Sequence, residues 1–497
     1  MPEPITLERD RQLFLDGHII EWLDKVSRRV CPLEKHPANP LIRPEGPSEP
    51  PGYVTYGSGI YDAEEQLYKA WCTAIGEPRS AGSASAIRGG CYYFTSSDGI
   101  RWERPKLDVF LLNGQPTNIV ALGWHAAHPR RWPAMYEVFG VTKDSQESDP
   151  ARRYKMGYLY LVRDYYGPDA DPNHPGQRRG MGVAFSSDGI RWITSDEPVT
   201  RATVDGGTYW FRHPDTGRFV LFGRGRHYDP AVRARYGETR FFLQHNSGRA
   251  VNRAESADFV HWEPDRGQLV MAADVLDGPG DEIYSLAVLP YEGLFIGFVQ
   301  VFHNYPDRVY LDIQLAVSRD GVHFERLTDR SPFIPVGGIG EWDRFNNSLA
   351  NSPPICIDDR LWFYYSGRNF LHSGAHQGPD DGRKAHLPFI AAIGAGSIRR
   401  DRFVALEASF DTGVVRTKVL RFSGHTLHVN ADTRFGTLEI RLLDPDGEAI
   451  PGLKGLVQGV DQTDVCVPIA GLGRYAGQTV CVEFALQNCR LFSFWTD

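Results

Sequence analysis

A short hairpin signature recurs along this chain, and this repeat constrains the fold more than any other feature of the sequence. Three copies align closely: FTSSDGIRWERP (94–105), FSSDGIRWITSD (185–196) and VSRDGVHFERL (317–327). Two weaker copies are AESADFVHWEP (254–264) and GSIRRDRFVAL (396–406). Repeats of this length and spacing are typical of β-propellers and other arrays of similar units.

Each of the first four copies has an aspartate four positions before an aromatic residue. The aspartate can cap backbone N–H groups of a turn, the glycine that follows tolerates a positive φ, and the aromatic side chain packs back onto the sheet. Such a hairpin joins the outer strands of an antiparallel sheet, so we interpret these aspartates as structural. The pairs are Asp98 and Trp102, Asp188 and Trp192, Asp258 and Trp262, and Asp320 and Phe324.

A pair of apolar strands around a polar turn precedes every hairpin copy. The pairs span 53–74, 135–162, 207–225, 283–302 and 352–368. Because strand pairs and hairpins repeat in step, residues 49–408 are predicted to form a five-bladed β-propeller. The alternative is one long, irregular β-sandwich in which the hairpin similarity is accidental.

The two ends of the chain lack the hairpin signature. Residues 409–497 alternate apolar and polar positions between DPDG and GLG turns, which predicts a C-terminal β-sandwich. Residues 1–48, which include LFLDGHIIEWLD, are expected to pack on the propeller, closing a blade or the interface with the sandwich.

Composition excludes several classes of protein. The 497 residues carry a net charge of −8 with acids and bases intermixed, which argues against nucleic acid as a partner. No apolar run is long enough to span a membrane, and the polar N-terminus has no signal-peptide pattern, so we expect a cytoplasmic protein. The seven scattered cysteines predict free thiols, although Cys466, Cys481 and Cys489 leave a disulfide open. No cofactor is expected, apart from a structural ion that the channel could hold.

The hairpin repeat, and the order of a predicted propeller followed by a predicted β-sandwich, resemble the propeller glycoside hydrolases of families 32 and 68. The resemblance to families 43, 62, 117 and 130 is looser. Most of the chain is similar to bacterial proteins described as family-32-like glycosyl hydrolases. The shared stretches are LFLDGHII, RRYKM (152–156), SRDG (318–321), TKVLRFSGHTLHVN (417–430) and LFSFW (491–495). This resemblance implies a five-bladed propeller followed by a β-sandwich and an activity on glycosides.

The chain departs from family 32 in its catalytic motifs. The Trp-x-Asn-Asp-Pro nucleophile motif, the Arg-Asp-Pro motif and the Glu-Cys acid motif are all missing. The resemblance therefore carries the fold but not the hydrolysis of fructans, because one fold supports many activities.

Candidate catalytic residues are acids that enter the first strand of a blade, because first strands converge on the channel. Glycoside hydrolysis needs two carboxyl groups, one to protonate the leaving oxygen and one to activate water or attack carbon. Asp205, Glu282 and Asp343 abut predicted first strands in neighbouring blades. Glu282 is predicted to be the proton donor because its side chain reaches farther, and Asp205 or Asp343 the base or nucleophile.

Sugar binding also needs aromatic surfaces and bidentate donors near these acids. The candidate substrate-binding residues are Glu49, Arg131, Trp132, Asp281, His303, Glu341, Arg368 and His372. No spacing among the histidines singles out a set of metal ligands.

The leading hypothesis is a glycoside hydrolase that removes a terminal sugar, with furanosides among the candidates, from an oligosaccharide or glycoside. A phosphorylase or transglycosylase on the same fold is one alternative. A non-catalytic propeller that binds carbohydrate or acts as a scaffold is the other. The sugar, the linkage and the oligomeric state are left open by the sequence.

Overall fold

The computed structural model describes most of the chain. The described residues are 3–7, 10–45, 52–75, 87–112, 114–125, 134–163, 165–168, 170–171, 175–203, 205–237, 247–305, 309–372 and 390–497. Within them the fold is nearly all β, and no helix is long and apolar enough to cross a membrane. The helical segments are α1 (Pro230–Tyr236) and the short 3₁₀ turns Pro150–Arg152 and Leu472–Tyr475.

The N-terminal segment contributes five short strands, each of which pairs with a later part of the chain. They are β1 (Ile5–Thr6), β2 (Gln12–Leu13), β3 (Ile20–Asp24), β4 (Ser27–Val30) and β5 (Glu34–Lys35).

Five antiparallel sheets, here named I to V, follow one another in chain order. Sheet I consists of β6 (Gly52–Asp62), β7 (Leu67–Ile75), β8 (Ile87–Ser96) and β11 (Ile119–His125). Between β8 and β11 in the sequence, β9 (Leu107–Leu112) and β10 (Gln115–Thr117) form a separate two-stranded ribbon. Sheet II consists of β12 (Ala134–Lys143), β13 (Tyr154–Arg163), β14 (Gln177–Ser186) and β15 (Ile193–Thr194). Sheet III consists of β16 (Tyr209–Arg212), β17 (Phe219–Arg226), β18 (Arg249–Ser256) and β19 (Trp262–Met271).

Sheets IV and V are connected by one parallel bridge, between Leu311 and Asn346. Sheet IV consists of β20 (Asp281–Tyr291), β21 (Leu294–Asn304), β22 (Val309–Ser318), β23 (Glu325–Arg326) and β24 (Pro332–Ile334). Sheet V consists of β25 (Asn346–Leu349), β26 (Ile355–Ile357), β27 (Arg360–Arg368) and β28 (Ala391–Arg399), with β5 as its outer strand.

The first strand of sheet V is the one place where the predicted strand pairs need correction. The sequence pattern assigned that strand to SPPICI (352–357), but β25 lies before it and pairs with the end of β27 that leads into the pocket described below. The SPPICI segment instead contributes β26, which pairs with the opposite end of β27. Strand β25 has the polar sequence NNSL, so it lacks the alternation of apolar residues from which a strand is predicted.

The Asp-aromatic hairpins have the predicted geometry. Asp188 accepts hydrogen bonds from the N–H groups of Ile190 and Arg191, both at 2.8 Å, and Gly189 has a φ of 76°. The same arrangement recurs at Asp98, Asp258 and Asp320. In the third copy along the chain, Phe259 occupies the glycine position at a φ of 68°, and its ring is fully buried between sheets II and III. The hairpins are therefore structural turns.

Each of these sheets contacts the next one. A buried carboxylate links sheets I and II: Asp62 accepts from Lys69 at 2.8 Å, from Lys143 at 2.6 Å and from the Tyr154 hydroxyl at 2.8 Å. One hydrophobic cluster joins sheets II and III and another joins sheets III and IV. Sheet V in turn contacts sheet I, where the Tyr364 hydroxyl donates to the carbonyl of Gly99 at 2.8 Å.

Asn351, which follows β25, bonds to several sheets at once. Its N–H donates to the carbonyl of Gly57 in sheet I at 2.9 Å, and its carbonyl accepts from the Ser58 hydroxyl at 2.5 Å. Its amide group accepts from the N–H of Trp210 and donates to the carbonyl of Thr208, at 3.3 and 3.4 Å. One buried residue therefore ties sheet V to sheet I through its backbone and to sheet III through its side chain.

The rest of the chain forms two further sheets that also include β1 to β4. Their remaining strands are β29 (Val404–Ala408), β30 (Gly413–Thr417), β31 (Leu420–Arg421), β32 (Leu427–Asp432), β33 (Thr437–Leu443), β34 (Ala449–Gln458), β35 (Asp461–Val467), β36 (Thr479–Gln487) and β37 (Cys489–Thr496). The seven-stranded and the six-stranded sheet contribute to one hydrophobic cluster, in which the rings of Phe484 and Phe494 lie 5.2 Å apart. All seven cysteines are described, and none forms a disulfide.

We expect Asp62→Asn to lower the free energy of unfolding by about 3–5 kcal/mol, because it leaves two buried ammonium groups without their shared carboxylate. Burial opposes ionisation of Asp62, but the hydrogen bonds from Lys143, Lys69 and Tyr154 hold its pKa well below the usual value. This stabilisation is therefore present above the pKa of about 3.9 in the unfolded chain and is lost as the pH falls below it. Urea unfolding at pH 7 and pH 3.5 measures both effects.

The control is Glu65→Gln, which removes a 57% exposed carboxylate from the same Lys69 and is expected to cost less than about 1 kcal/mol. Equal losses for the two variants would contradict the role of Asp62.

We expect Asn351→Ala to lower the free energy of unfolding by about 2 kcal/mol, because the buried backbone groups of Trp210 and Thr208 lose their partner. Ser352→Ala removes one hydroxyl that accepts from Gly59 and should cost about half as much. Chemical denaturation of both variants checks the order. A smaller effect at Asn351 than at Ser352 would count against the role of Asn351.

Candidate functional site

Bulges in the first strands place two functional side chains. In β12, residues 136 and 137 stand opposite the single residue Leu159, and in β20 Tyr284 is an extra residue between the pairs formed by Ile283 and Ser285. A bulge interrupts the alternation of side chains and re-aims one of them, and bulges are common beside active sites. Arg224 connects these two side chains, because its charge acts on Glu137 and its guanidinium group lies beside the Tyr284 ring. The group of side chains around Arg224 is called the pocket below.

Two carboxyl groups lie close together at this pocket. Asp205 stands in the turn before β16, where its Oδ1 accepts from the N–H of Gly206 at 3.0 Å. A Cβ atom at Gly206 would lie only 2.7 Å from Oε2 of Glu137, so the absence of a side chain there lets the Glu137 carboxyl group approach the Asp205 turn. The Asp205 side chain is 37% exposed and Glu137 is partly buried, so both stand at the edge of accessible space.

The environment separates the pKa values of these two acids. Burial and the neighbouring Asp205 carboxylate raise the pKa of Glu137 to about 7, against the opposing charges of Arg368, Arg224 and Arg179. Burial also acts to raise the pKa of Asp205, but the charges of Arg224 and Arg179 and the hydrogen bond from Gly206 lower it below its ordinary value. Near neutral pH one group can therefore hold a proton while the other is ionised.

Arg224 is the buried cation nearest to Asp205. Its Nη1 lies 3.4 Å from Oδ2 of Asp205, its Nη2 donates to the carbonyl of Gly206 at 3.1 Å, and its Nε donates to the carbonyl of Tyr284 at 3.2 Å. The guanidinium group also lies 4.0 Å from the centre of the Tyr284 ring. These contacts connect the Asp205 turn to sheet IV.

Glu282 is fully committed to hydrogen bonds. Its Oε1 accepts from the N–H and the hydroxyl of Ser247 and from the N–H of Arg249, at 2.7 to 2.9 Å, and its Oε2 accepts from Nη1 of Arg249 at 2.7 Å. The side chain is 1% exposed. Arg249 in turn lies 5.7 Å from the centre of the Tyr284 ring, so Glu282 holds this cation beside the pocket.

Arg368 and His372 come from the end of sheet V and complete the pocket. Nε2 of His372 lies 2.9 Å from the hydroxyl of Tyr284, and its ring packs against Phe302 at 5.0 Å. Burial, followed by the charges of Arg368, Arg249 and Arg224, lowers the pKa of His372 to about 3, so this ring is neutral at physiological pH. Arg368 is 7% exposed, and its charge also acts on Glu137.

Asp281 and His303 form a separate cluster next to Glu282. Nδ1 of His303 lies 2.8 Å from Asp281 and its Nε2 lies 3.3 Å from Asp312, and its ring stacks on Tyr310 at 4.2 Å. Burial lowers the pKa of His303, but the two carboxylates outweigh it and raise the pKa to about 9. The histidine is therefore a cation held between two anions.

Asp343 and Glu341 make their contacts away from Asp205. Asp343 is buried and accepts from Lys35 of the outer strand β5 at 2.6 Å and from the Tyr365 hydroxyl at 3.0 Å. Glu341 is exposed and caps the N–H of Gly338. Three further predicted residues, Glu49, Arg131 and Trp132, lie outside the described part of the chain.

The structure thus brings together Asp205, Glu282, Arg368 and His372 from the predicted set, and it adds Glu137, Arg224, Arg249 and Tyr284. Glu137 is not among the predicted acids, because those precede first strands whereas Glu137 lies inside one. The available signal was a single acid within the otherwise uncharged run AMYEVFGVT. A buried strand rarely contains a carboxylate without a reason.

Outside this pocket, neither the metal-binding groups nor the cavities of the described residues provide a stronger candidate site. Across the described residues, no group of three or more His, Cys, Asp or Glu side chains is arranged to hold a metal ion. A cavity of 280 Å³ lies nearer the other ends of the first strands and is lined by Val141, Tyr209 and Pro353 among others. Its lining cation Arg212 is already paired with Asp144.

Comparisons with known proteins find similar structures at low sequence identity. No family model matches the sequence, and no curated protein matches it. A family 32 β-fructofuranosidase from Bombyx mori has 11% identity over 93% of this chain and 94% of its own, with a TM-score of 0.44. A family 43 arabinoxylan arabinofuranohydrolase from Bacillus subtilis has 12% identity over 93% of this chain and 98% of its own, with a TM-score of 0.40.

A third similar structure comes from family 130 of mannoside phosphorylases, a family that contains glycoside hydrolases targeting β-1,2-mannosidic linkages in Candida mannan. It has 13% identity over 75% of this chain and 94% of its own, with a TM-score of 0.43. Since all three TM-scores are below 0.5, the function of the pocket has to follow from its own geometry.

We expect Glu282→Gln to lower the free energy of unfolding by about 3 kcal/mol, because it leaves the partly buried Arg249 cation without its carboxylate. Glu137→Gln is expected to be neutral or stabilising at pH 8, where the native Glu137 carboxyl group must ionise in a buried setting. Thermal and urea unfolding at pH 8 compare the two variants directly. A larger loss for Glu137→Gln would contradict this assignment of the two glutamates.

Proposed function

We propose that this protein is a glycoside hydrolase in which Glu137 is the general acid and Asp205 is the base or nucleophile. One observation carries the proposal: two carboxyl groups share a partly exposed pocket, and their surroundings move their pKa values in opposite directions. Such a pair supplies the proton donor and the anion that cleavage of a glycosidic bond requires.

The ring of sheets supports this function by bringing distant residues together. We interpret sheets I to V as the blades of a five-bladed β-propeller and the two remaining sheets as a β-sandwich. The pocket then lies at the mouth of the channel, formed by first strands of sheets II and IV, the Asp205 turn and the end of β27. Ligand sites of closed β architectures commonly occupy such positions.

The proposed reaction follows the usual two-carboxyl scheme. Glu137 gives its proton to the glycosidic oxygen as the bond from that oxygen to the anomeric carbon breaks. Asp205 either takes a proton from the water that attacks the anomeric carbon or attacks that carbon itself. In the second case, water later hydrolyses the glycosyl-enzyme and Glu137, now ionised, receives its proton. The second route returns both groups to their starting states. The first route ends with the proton on Asp205 and Glu137 ionised, so a proton must pass from Asp205 to solvent and from solvent to Glu137 before the next cycle.

The other sequence-predicted acids receive supporting roles in this proposal. Glu282 positions Arg249, because its oxygen atoms already accept four hydrogen bonds and its side chain is buried. Asp343 anchors the outer strand of sheet V through Lys35, and Asp281 holds His303. His372 and Tyr284 present a neutral ring and a hydroxyl to sugar hydroxyl groups.

A non-catalytic carbohydrate-binding protein is the second candidate. The observation that favours it is that Asp205, Glu282 and Asp343 each face a cation, as binding sites and structural ion pairs do. Glu137 distinguishes the two candidates, because a partly buried acid with a pKa near 7 serves proton transfer better than it serves sugar binding.

We expect Glu137→Gln to lower kcat/KM about 100- to 10,000-fold on 4-nitrophenyl glycosides, the usual range for losing a general acid. The loss should be much smaller on 2,4-dinitrophenyl glycosides, whose leaving group needs no proton. In the native enzyme kcat/KM should fall as the pH rises through about 7, where Glu137 ionises, and Glu137→Gln should abolish that decline. Asp205→Asn should reduce activity on both substrate types.

The matched control is Asp215→Asn, which removes an 85% exposed carboxylate on a remote turn and should leave activity unchanged. Loss of activity in Asp343→Asn, with Glu137→Gln fully active, would return the catalytic role to Asp343. Binding of sugars without hydrolysis of any glycoside in a broad panel would establish the second candidate.

A further inference from the structure

The pocket carries more positive than negative charge. Beside its three carboxyl groups, Glu137, Asp205 and Glu282, stand five guanidinium groups, those of Arg179, Arg224, Arg226, Arg249 and Arg368. Burial together with the charges of Arg249 and Arg224 lowers the pKa of Arg226, as expected where cations crowd together. A neutral sugar by itself gives no reason for such a concentration of charge.

Most of these cations have an evident protein partner. Arg249 is paired with Glu282 at 2.7 Å, Arg224 is held by Asp205 and by two carbonyl groups, and Arg226 donates to the carbonyl of Ser247 at 2.7 Å. These contacts fix the positions of the guanidinium groups around the pocket.

Arg368 differs from them. Arg368 is only 7% exposed, yet none of the described residues offers its guanidinium group a hydrogen bond or an ion pair. The guanidinium carbon lies 5.9 Å from the centre of the Phe370 ring. Its charge acts on both Glu137 and His372, which places it at the same pocket. A buried guanidinium group with no hydrogen-bonded anion is costly, and the group's planar fork matches two adjacent oxygen atoms of a carboxylate, phosphate or sulfate.

We propose that Arg368 binds an oxyanion of the ligand, with Arg224 and Arg249 supplying the surrounding positive field. This inference rests on the proposed function and specifies its substrate class: a saccharide that bears a carboxylate, sulfate or phosphate group. The same chemistry would accept free inorganic phosphate as a co-substrate. In either case the oxyanion neutralises the excess charge beside Glu137 and Asp205.

Isothermal titration calorimetry on the full chain tests the inference with three kinds of probe: glucuronate and galacturonate, the neutral sugars glucose and galactose, and inorganic phosphate or sulfate. We expect at least one anionic probe to bind at least tenfold more tightly than its neutral counterpart. Arg368→Gln should remove that preference, Arg368→Lys should retain part of it, and added NaCl should weaken it. Arg101→Gln, which removes a 91% exposed guanidinium group, should leave it unchanged.

The arms of the experiment distinguish the sources of the oxyanion. Preference for a uronate over its neutral counterpart assigns the oxyanion to the sugar, whereas tight binding of phosphate with no uronate preference assigns it to free phosphate. The proposal is overturned if no anionic probe binds more tightly than the neutral sugars, or if a correctly folded Arg368→Gln, judged by its circular dichroism and melting temperature, binds the anions as the native protein does.

Failure of this inference is separable from failure of the proposed hydrolysis. Glu137→Gln should keep its affinity for the anionic probe while it loses hydrolysis of 4-nitrophenyl glycosides. An anion preference in a protein that hydrolyses no glycoside would refute the enzyme and leave the oxyanion site in place. Hydrolysis of neutral glycosides with no anion preference would support the enzyme and refute the oxyanion site.

Discussion

The architecture depends on contacts between successive sheets and between sheet V and sheet I, and Asn351 is the residue at which hydrogen bonds between sheets are most concentrated. Its backbone bonds to sheet I and its side chain bonds to sheet III, although the residue itself follows the first strand of sheet V. Polar groups buried between sheets are cut off from water, so each needs a hydrogen-bond partner. This requirement explains why a buried asparagine, and not an apolar side chain, stands where the sheets converge.

The N-terminal segment also joins sheet V to the C-terminal sheets. Strand β5 supplies the outer strand of sheet V, while β1 to β4 pair with the C-terminal sheets. Asp401, the aspartate of the weakest hairpin copy, accepts hydrogen bonds from Arg11, Tyr291 and Ser493, and so joins the N-terminal segment, sheet IV and a C-terminal sheet. The fifth repeat diverges because its aspartate serves this junction and the strand after it enters another sheet.

The same convergence creates the pocket. Glu137 and Tyr284 sit at bulges of first strands, Asp205 in a turn before a first strand, and Arg368 at the end of a second strand. Their charges interact because most of these side chains are buried or partly buried, and the interaction between charges grows as the local dielectric constant falls. Burial and these neighbouring charges together raise the pKa of Glu137, lower the pKa of Asp205 and keep His372 neutral.

The sequence by itself determined the nearly all-β fold, the turn chemistry of Asp98, Asp188, Asp258 and Asp320, and four of the five leading strand pairs, because these features are local. Periodicity, capping and glycine at positive φ act within about ten residues and remain legible without the rest of the chain. It also pointed to Asp205, Arg368 and His372 through their positions next to strands. The polar strand β25 was missed because its side chains satisfy a buried network instead of alternating with solvent.

Tertiary structure decided everything that depends on distant partners. Glu282 is committed because Ser247 and Arg249 reach it from another sheet, and Asp343 is drawn to Lys35, which is 308 positions away in the chain. Glu137 becomes the better acid because a bulge aims it at Gly206 and Asp205. Burial and charge set the chemistry of a carboxyl group, and both are properties of the folded surroundings that no local stretch of sequence contains.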